Sequence, residues 1–147
     1  DSMRWEPFVA VIGAYTAMVV FVMVAFTIAY KRVGPAGVFR PGTYDVTTTW
    51  NVTSLVLGLI GAVLGGWVCL LIDDQPWAGR WLMILIGVLG MVDVAATVKK
   101  SRVPSPERGE DVDNRTAMQH ARKPTWVAVA NIVVGVIGVA IVVYWPR

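Results

Sequence analysis

The chain has 147 residues, of which 56% are hydrophobic and 16% are charged, and its mean hydropathy is +0.60. Soluble domains carry about 25% charged residues, so this composition excludes an ordinary water-soluble domain and predicts an integral membrane protein in contact with the lipid bilayer. The formal net charge of +3 comes from cations between the apolar runs, a pattern that reports membrane topology and argues against a nucleic-acid partner.

Four apolar segments follow one another along the chain, each long enough to cross a hydrocarbon core as a helix at about 1.5 Å per residue. They are residues 8–30, 50–71, 81–98 and 126–145. The pattern predicts an all-α polytopic membrane protein in which residues 1–147 form a single membrane domain. Its four transmembrane helices are expected to run up, down, up and down in a bundle.

The three connections between these segments differ in character. The first, 31–49, contains Pro-Gly and Gly-Pro dipeptides that predict turns. The second is short, and Pro76 within it is predicted to end the second helix and force a tight return. The third, 99–124, is the only extended hydrophilic stretch, and Asp113 or Asn114 is predicted to begin a short surface helix there.

Lysine and arginine are unequally distributed between the two sides of the predicted membrane. Loops 31–49 and 99–124 share one side and hold ten of the 13 cations, whereas Arg4, Arg80 and Arg147 belong to the other. We expect a multi-pass protein of the cell inner membrane. Because cytoplasmic loops are enriched in lysine and arginine, we expect both loops in the cytoplasm and both termini on the outer side of this membrane. Tryptophans near the ends of the spans agree with this registration.

Small residues recur at helical spacing in the second segment. With a rotation of about 100° per residue they form one stripe roughly 100° wide, opposite Trp67. Such a stripe allows another backbone to approach closely, either from the same chain or from a partner. Glycines of the third and fourth segments offer further surfaces of this kind. The predicted helix-packing stripe consists of Ser54, Gly58, Gly61, Ala62, Gly65 and Cys69.

One polar residue in each segment lies three to five residues inside its predicted cytoplasmic end, about 5–8 Å below the interface. The four residues are therefore predicted to lie in one polar layer. Only one of them, Asp93, has an acidic side chain. The layer consists of Thr27, Ser54, Asp93 and Asn131.

Two interpretations of this layer follow from general membrane chemistry. An intramembrane carboxylate such as Asp93 is a candidate for ion, proton or ligand handling. Alternatively, the polar side chains hold the helices together, and the long side chain of Lys31, Arg32 or Lys99 reaches toward Asp93. We favour the structural interpretation because nothing else in the layer titrates.

The sequence identifies no cofactor and no catalytic set. His120, the single histidine, lies in a hydrophilic loop, so no histidine inside the bundle could ligate haem. Cys69 is expected to fill space on the small-residue stripe. Familiar hydrolase, nucleotide-binding and metalloprotease motifs do not occur in the sequence, and we do not expect an enzyme.

Two runs of the sequence carry a resemblance. The first is FRPGTYDVTTTWNVTSLVLGLIGAVLGGWVC, from Phe39 to Cys69, and the second is NRTAMQHARKPTWVAVAN, from Asn114 to Asn131. Together they resemble a group of small hypothetical bacterial integral membrane proteins. The resemblance implies a bacterial source and four membrane spans, and it implies no activity and no functional residue.

Two functions are compatible with these patterns. The first is a non-enzymatic membrane subunit or scaffold that packs within a larger assembly, as its small size and close-approach glycines indicate. The second is a small homo-oligomeric transporter or channel that uses Asp93 and the polar layer. Four helices alone rarely enclose a pathway, so the second function would require several copies of the chain.

Overall fold

The computed structural model describes residues 4–146, so Arg147, one of the cations counted above, lies outside the described residues. Four helices of the described chain are long and apolar enough to cross a membrane. The prediction of an all-α membrane protein with four transmembrane helices is therefore confirmed. The helices are α1 (Glu6–Val38), α2 (Thr48–Ile72), α3 (Pro76–Ser101), α4 (Asn114–His120) and α5 (Thr125–Val143).

The start of α3 corrects a predicted boundary. We expected a span over 81–98, with Pro76 in the preceding return, but α3 begins at Pro76. Proline suits the first turn of a helix, where its fixed φ is already helical and its missing N–H would have had no acceptor. The link between α2 and α3 is therefore only 73–75, shorter than predicted.

Helix α1 continues beyond its predicted membrane exit and bends at the level of the loops. Gly34 has φ +67° and ψ 178°, outside the helical region, and Pro35 follows it. Glycine adopts a positive φ at little cost, and proline has no N–H to donate to the preceding turn. The Gly-Pro pair predicted as a turn thus separates the membrane-spanning part of α1 from one last turn that ends at Val38.

The four long helices contact one another in the circular order α1, α2, α5, α3. Helix α2 packs between α1 and α5, and α5 packs between α2 and α3. Buried residues make up 33% of the most apolar window of α2 and 39% of that of α5, against 11% for α1 and for α3. Helices α2 and α5 are therefore the interior pair, and α1 and α3 present most of the exposed apolar surface.

The core lies toward the end of the bundle where α2 turns into α3. Its buried members are mostly small, including Ala10, Ala14, Ala62 and Cys69, all at 0% exposure. Leu82 of α3 is the largest fully buried side chain in this cluster. Small side chains let the helix backbones approach closely, which is how helices associate when lipid removes the hydrophobic driving force between them.

At the opposite end, the two longer connections fold against each other. We call residues 38–47 and 102–122 together the loop unit. An antiparallel bridge joins Phe39 to Val46, and a parallel bridge joins Asp45 to Arg122. The Arg122 N–H donates to the Tyr44 carbonyl at 2.9 Å, and the Val46 N–H donates to the Arg122 carbonyl at 3.0 Å. The first and third connections therefore form one small structure at the bundle end.

Side chains of the loop unit form a second hydrophobic cluster. The rings of Phe39 and Tyr44 meet edge to face at 5.5 Å between centroids, and Tyr44 also lies 5.0 Å from the ring of His120. The Arg108 guanidinium lies over Phe39 at 5.7 Å, and its Nε donates to the Thr43 carbonyl at 2.8 Å. These contacts join the loop after α1 to the loop before α5.

Candidate functional site

The predicted stripe of α2 is divided between two neighbouring helices. Gly61 and Gly65 face α1. A β-carbon added at Gly61 would lie 3.1 Å from Cγ2 of Val22, and one added at Gly65 would overlap the side chain of Met18. Both glycines are buried. The α1–α2 contact therefore occupies one edge of the stripe.

The other edge of the stripe faces α5. A β-carbon added at Gly138 would lie 2.5 Å from the Ala62 β-carbon and 3.2 Å from the Leu59 carbonyl oxygen. Near the loop end, a β-carbon at Gly58 would lie 3.8 Å from Oδ1 of Asn131. Cys69 is fully buried in the core at the other end. The stripe thus contacts two helices of its own chain.

Sequence reasoning did not find Gly66, which is buried on α2 beside the stripe. A β-carbon there would lie 3.0 Å from Cβ of Val142 on α5. The glycine pair at 65 and 66 lets α1 and α5 approach α2 from adjacent directions. The Gly-Gly dipeptide is visible in the sequence, but at about 100° per residue Gly66 lies about 40° beyond the edge of the stripe, next to Ala62 on the side that faces α5.

The glycines of α3 differ from one another in what surrounds them. β-Carbons added at Gly79 and Gly90 would overlap Val143 and Ile132 of α5. Around a β-carbon added at Gly87, the described part of the chain places no atom within 4 Å. Every other glycine within the predicted spans 8–30, 50–71, 81–98 and 126–145 lies against a neighbouring helix. Gly87 is therefore the one close-approach position of the described bundle that no helix of this chain uses.

No hydrogen bond among the described residues joins two of the four members of the predicted polar layer. Thr27 donates its hydroxyl to the carbonyl of Met23 and accepts a hydrogen bond from Nδ2 of Asn114 at 3.2 Å. Ser54 donates to the Asn51 carbonyl at 2.8 Å, within its own helix. Asn131 faces Gly58 as described above. Each of these side chains thus has a local environment of its own.

Asp93 is paired with a lysine that sequence reasoning did not name. Nζ of Lys123 lies 2.6 Å from Oδ2 of Asp93, and the two side chains are 30% and 44% exposed. The prediction that Lys31, Arg32 or Lys99 reaches Asp93 is corrected. Lys123 directly precedes Pro124 and α5, so the start of α5 delivers its ammonium to the same depth as the carboxylate on α3.

A second acid, considered only as a helix terminator in the sequence, is buried in the structure. Asp73, in the link between α2 and α3, is 6% exposed. Its Oδ1 accepts a hydrogen bond from the Gln75 N–H at 3.1 Å, which is the geometry of a turn closed by an aspartate side chain. Oδ2 has no hydrogen-bond partner among the described residues. The link between α2 and α3 therefore holds the Asp73 carboxylate through a hydrogen bond to only one of its two oxygens.

Metal-ligating side chains do not cluster in the described part of the chain. Within residues 4–146, no group of three or more histidine, cysteine, aspartate or glutamate side chains is arranged to hold a metal ion. Two cavities are open to the surface. One is lined by residues of α1, and the other lies where the end of α3 meets the loop unit. The chemically distinctive features of the structure are thus the close helix contacts, the Asp93–Lys123 pair and the cavity beside the loop unit.

Comparisons of the chain with protein-family models, with curated proteins and with solved structures give no match. The resemblance to small bacterial membrane proteins therefore stays a prediction, and the function has to be argued from the geometry alone.

Proposed function

We propose that this chain is a non-enzymatic integral membrane subunit or scaffold that packs against other membrane proteins in a larger assembly. The observation that carries the proposal is the open environment of Gly87. Glycine allows helix backbones to meet closely, and the other glycines of the four spans are all used for this purpose within the chain. Gly87 supplies the same kind of surface on the outside of the bundle.

The surroundings of Gly87 support a protein partner at this position. Ile84 and Met91, three residues before and four residues after it, share its helix face. They are 53% and 62% exposed, and Val88 beside them is 56% exposed. A small residue between exposed large ones forms a notch into which the side chains of another helix can pack. Helix α3 is therefore the proposed docking helix.

The environment of Asp93 supports a structural role and not ion handling. A carboxylate in direct contact with an ammonium already has its charge compensated, so a passing cation would have to displace Lys123. Two other members of the polar layer, Thr27 and Ser54, form hydrogen bonds with groups outside the layer. These contacts favour the subunit over the transporter.

We also propose the orientation of the chain in the membrane. The bundle end with the loop unit carries ten of the 13 cations, and the preference for cytoplasmic lysine and arginine places this end in the cytoplasm of a bacterial cell. Both termini then lie outside the cell inner membrane. The exposed residues of α1 and α3 would contact lipid wherever no partner covers them.

Co-purification with a Gly87 variant tests the proposed function. After extraction of native membranes in a mild detergent, we expect the native chain to co-purify with other subunits at fixed stoichiometry. Gly87→Ile adds a branched side chain to the outer face, so it should release the partner and leave the isolated chain folded. Gly87→Ala should retain the complex. Gly90→Ile, whose site faces Ile132 inside the bundle, should instead lower the yield of folded protein.

Two results would contradict the proposal. One is a native chain that leaves the membrane as a monomer under conditions that preserve known complexes. The other is a Gly87→Ile variant that keeps the same complex at the same stoichiometry. A complex made only of copies of this chain would contradict the part that names other subunits.

A further inference from the structure

A basic cavity lies where the end of α3 meets the loop unit. It has a volume of about 440 Å³ and is open to the surface. Four basic side chains line it, namely Lys99 and Lys100 from α3 and His120 and Arg122 from the end of α4 and the strand-like segment after it. No acidic residue is among those that line it. The cavity therefore concentrates positive charge without a countercharge of its own.

The acid whose charge acts on Lys100 is Asp93, and it does not neutralise the charge of the cavity. The carboxylate of Asp93 on α3 is already in contact with Nζ of Lys123. The side-chain ammonium of Lys99 has no hydrogen bond or ion pair within residues 4–146, and the residue is exposed. Three formal cations at one cavity repel one another, so an anion bound among them would relieve an unfavourable arrangement.

The basic groups keep donors free for such an anion. Nζ of Lys100 donates to the Ala121 carbonyl at 2.7 Å, which commits one of its three N–H groups. The Arg122 guanidinium donates to the Val103 carbonyl, which commits one of its five. These bonds hold the two side chains in place at the wall of the cavity, while the remaining N–H groups can meet phosphate oxygens.

The position of the cavity matches the headgroup level of a bilayer. Its lining begins at Ala96 on α3, within the last apolar turns of the span, and extends into the loop through Val103 and Pro104. A ligand there would have its charged part among the lysines and an apolar part against the end of the membrane-spanning helix. Its volume is within the range of about 300–1,000 Å³ found for small-molecule sites.

We propose that this cavity binds the phosphate of an anionic phospholipid, whose glycerol and acyl chains lie against the end of α3. The proposal does not depend on the docking role of Gly87, which precedes Ala96, the first α3 residue of the lining, by about two and a half turns. Basic pockets at this depth bind anionic headgroups in membrane proteins generally. The lipid would join α3 to the segment that leads into α5.

Lipid binding to matched lysine variants tests the proposal. The delipidated protein is titrated with phosphatidylglycerol or phosphatidylcholine, and bound lipid is measured by native mass spectrometry. We expect phosphatidylglycerol to bind and phosphatidylcholine to bind much more weakly. Lys99→Gln/Lys100→Gln should weaken phosphatidylglycerol binding about tenfold or more, since each lysine near a headgroup contributes appreciably. The matched control is Lys31→Gln/Arg32→Gln, an adjacent cation pair at the same bundle end that does not line the cavity.

Lys99→Gln alone guards against a folding artefact. The Lys99 side chain makes no hydrogen bond in the described part of the chain, whereas the Lys100 side chain supports the loop unit by donating to the Ala121 carbonyl. A binding loss in the single variant therefore reports the cavity and not its collapse. Equal binding of both lipids, or equal losses in the Lys99/Lys100 and Lys31/Arg32 variants, would overturn the proposal. Displacement of phosphatidylglycerol by millimolar inorganic phosphate would assign the site to free phosphate and would also overturn it.

Discussion

At Gly138 of α5 the backbone of α2 lies close by, and adding a single methyl group tests this contact. In Gly138→Ala the new β-carbon would lie 2.5 Å from the Ala62 β-carbon, 3.2 Å from the Leu59 carbonyl oxygen and 3.3 Å from the Val63 nitrogen. Two of these three atoms belong to the backbone, so no change of rotamer can make room. The two helices must move apart.

The size of the effect follows from the distance. Carbon atoms in good contact are about 3.5–4.0 Å apart, so α5 has to withdraw from α2 by roughly 1 Å. Overpacking of this kind costs about 1–3 kcal/mol, and the better helix propensity of alanine returns at most about 1 kcal/mol. We expect Gly138→Ala to lower the free energy of unfolding by about 1–2 kcal/mol.

Two other glycines provide graded controls for this substitution. At Gly65 the obstructing atoms belong to the flexible side chain of Met18, which can adopt another rotamer, so Gly65→Ala should cost less. At Gly87 no atom of another helix among residues 4–146 lies within 4 Å of the new β-carbon, so Gly87→Ala should leave the stability of the isolated chain unchanged or slightly higher. The predicted order of destabilisation is Gly138, Gly65, Gly87.

The assay is unfolding of the purified chain in mixed micelles by increasing fractions of sodium dodecyl sulfate, followed by the loss of helical circular dichroism. The three alanine variants are compared with the native chain in the same detergent. Trp67→Leu, on the exposed face of α2, controls for general effects of substitution in that helix. Equal losses for Gly138→Ala and Gly87→Ala would show that α5 does not approach α2 as closely as described, and the reasoning would fail.

Two further predictions concern the charged residues. Because the Asp93–Lys123 pair is partly exposed, Asp93→Asn should lower the free energy of unfolding by less than about 1 kcal/mol, and a double-mutant cycle with Lys123→Gln should give a coupling of similar size. A proteoliposome flux that disappears with Asp93→Asn would contradict the structural role. In a Cys69→Ser background, a cysteine at Glu110 should resist an impermeant thiol reagent in intact cells, and its labelling there would reverse the proposed orientation.

Most of the fold could be predicted from the lengths of the apolar segments. An uninterrupted apolar run of about twenty residues has few structural alternatives in a membrane, so the four spans follow from the sequence. Boundaries at proline were harder to place. The same residue ends one helix or begins the next, and Pro76 begins α3 because the aspartate turn before it already ends α2.

The circular order of the helices could not be read from any single span. A stripe of small residues indicates that another helix approaches closely, but it does not indicate which helix. The two faces of α2 are distinguished only by complementary residues elsewhere, such as Gly138 opposite Ala62 and Met18 opposite Gly65. Such pairings depend on the three-dimensional arrangement of all four helices.

The polar contacts were the least predictable part of the structure. Asp93 was correctly singled out as the acid within a span, but its distance to each candidate cation depends on how α3 sits beside the neighbouring helix. Lys123 is near because α3 and α5 are adjacent and antiparallel, whereas Lys31 belongs to α1. The basic cavity was missed for a similar reason, since its lysines and Arg122 come from segments about twenty residues apart.

The two ends of the bundle are held together by different physics. At the end where α2 turns into α3, small buried residues allow backbone contact, and the helices are joined mainly by packing, with one exposed hydrogen bond from Arg80 Nε to the Tyr144 hydroxyl at 3.0 Å. At the loop end, the helices are tied by hydrogen bonds between connections and by the Asp93–Lys123 pair, in a region that water and lipid headgroups reach. Packing does not respond to salt or headgroup charge, but partly exposed polar contacts do. The response of this protein to the lipids around it should therefore originate mainly at the loop end, where most of these polar contacts and the basic cavity lie.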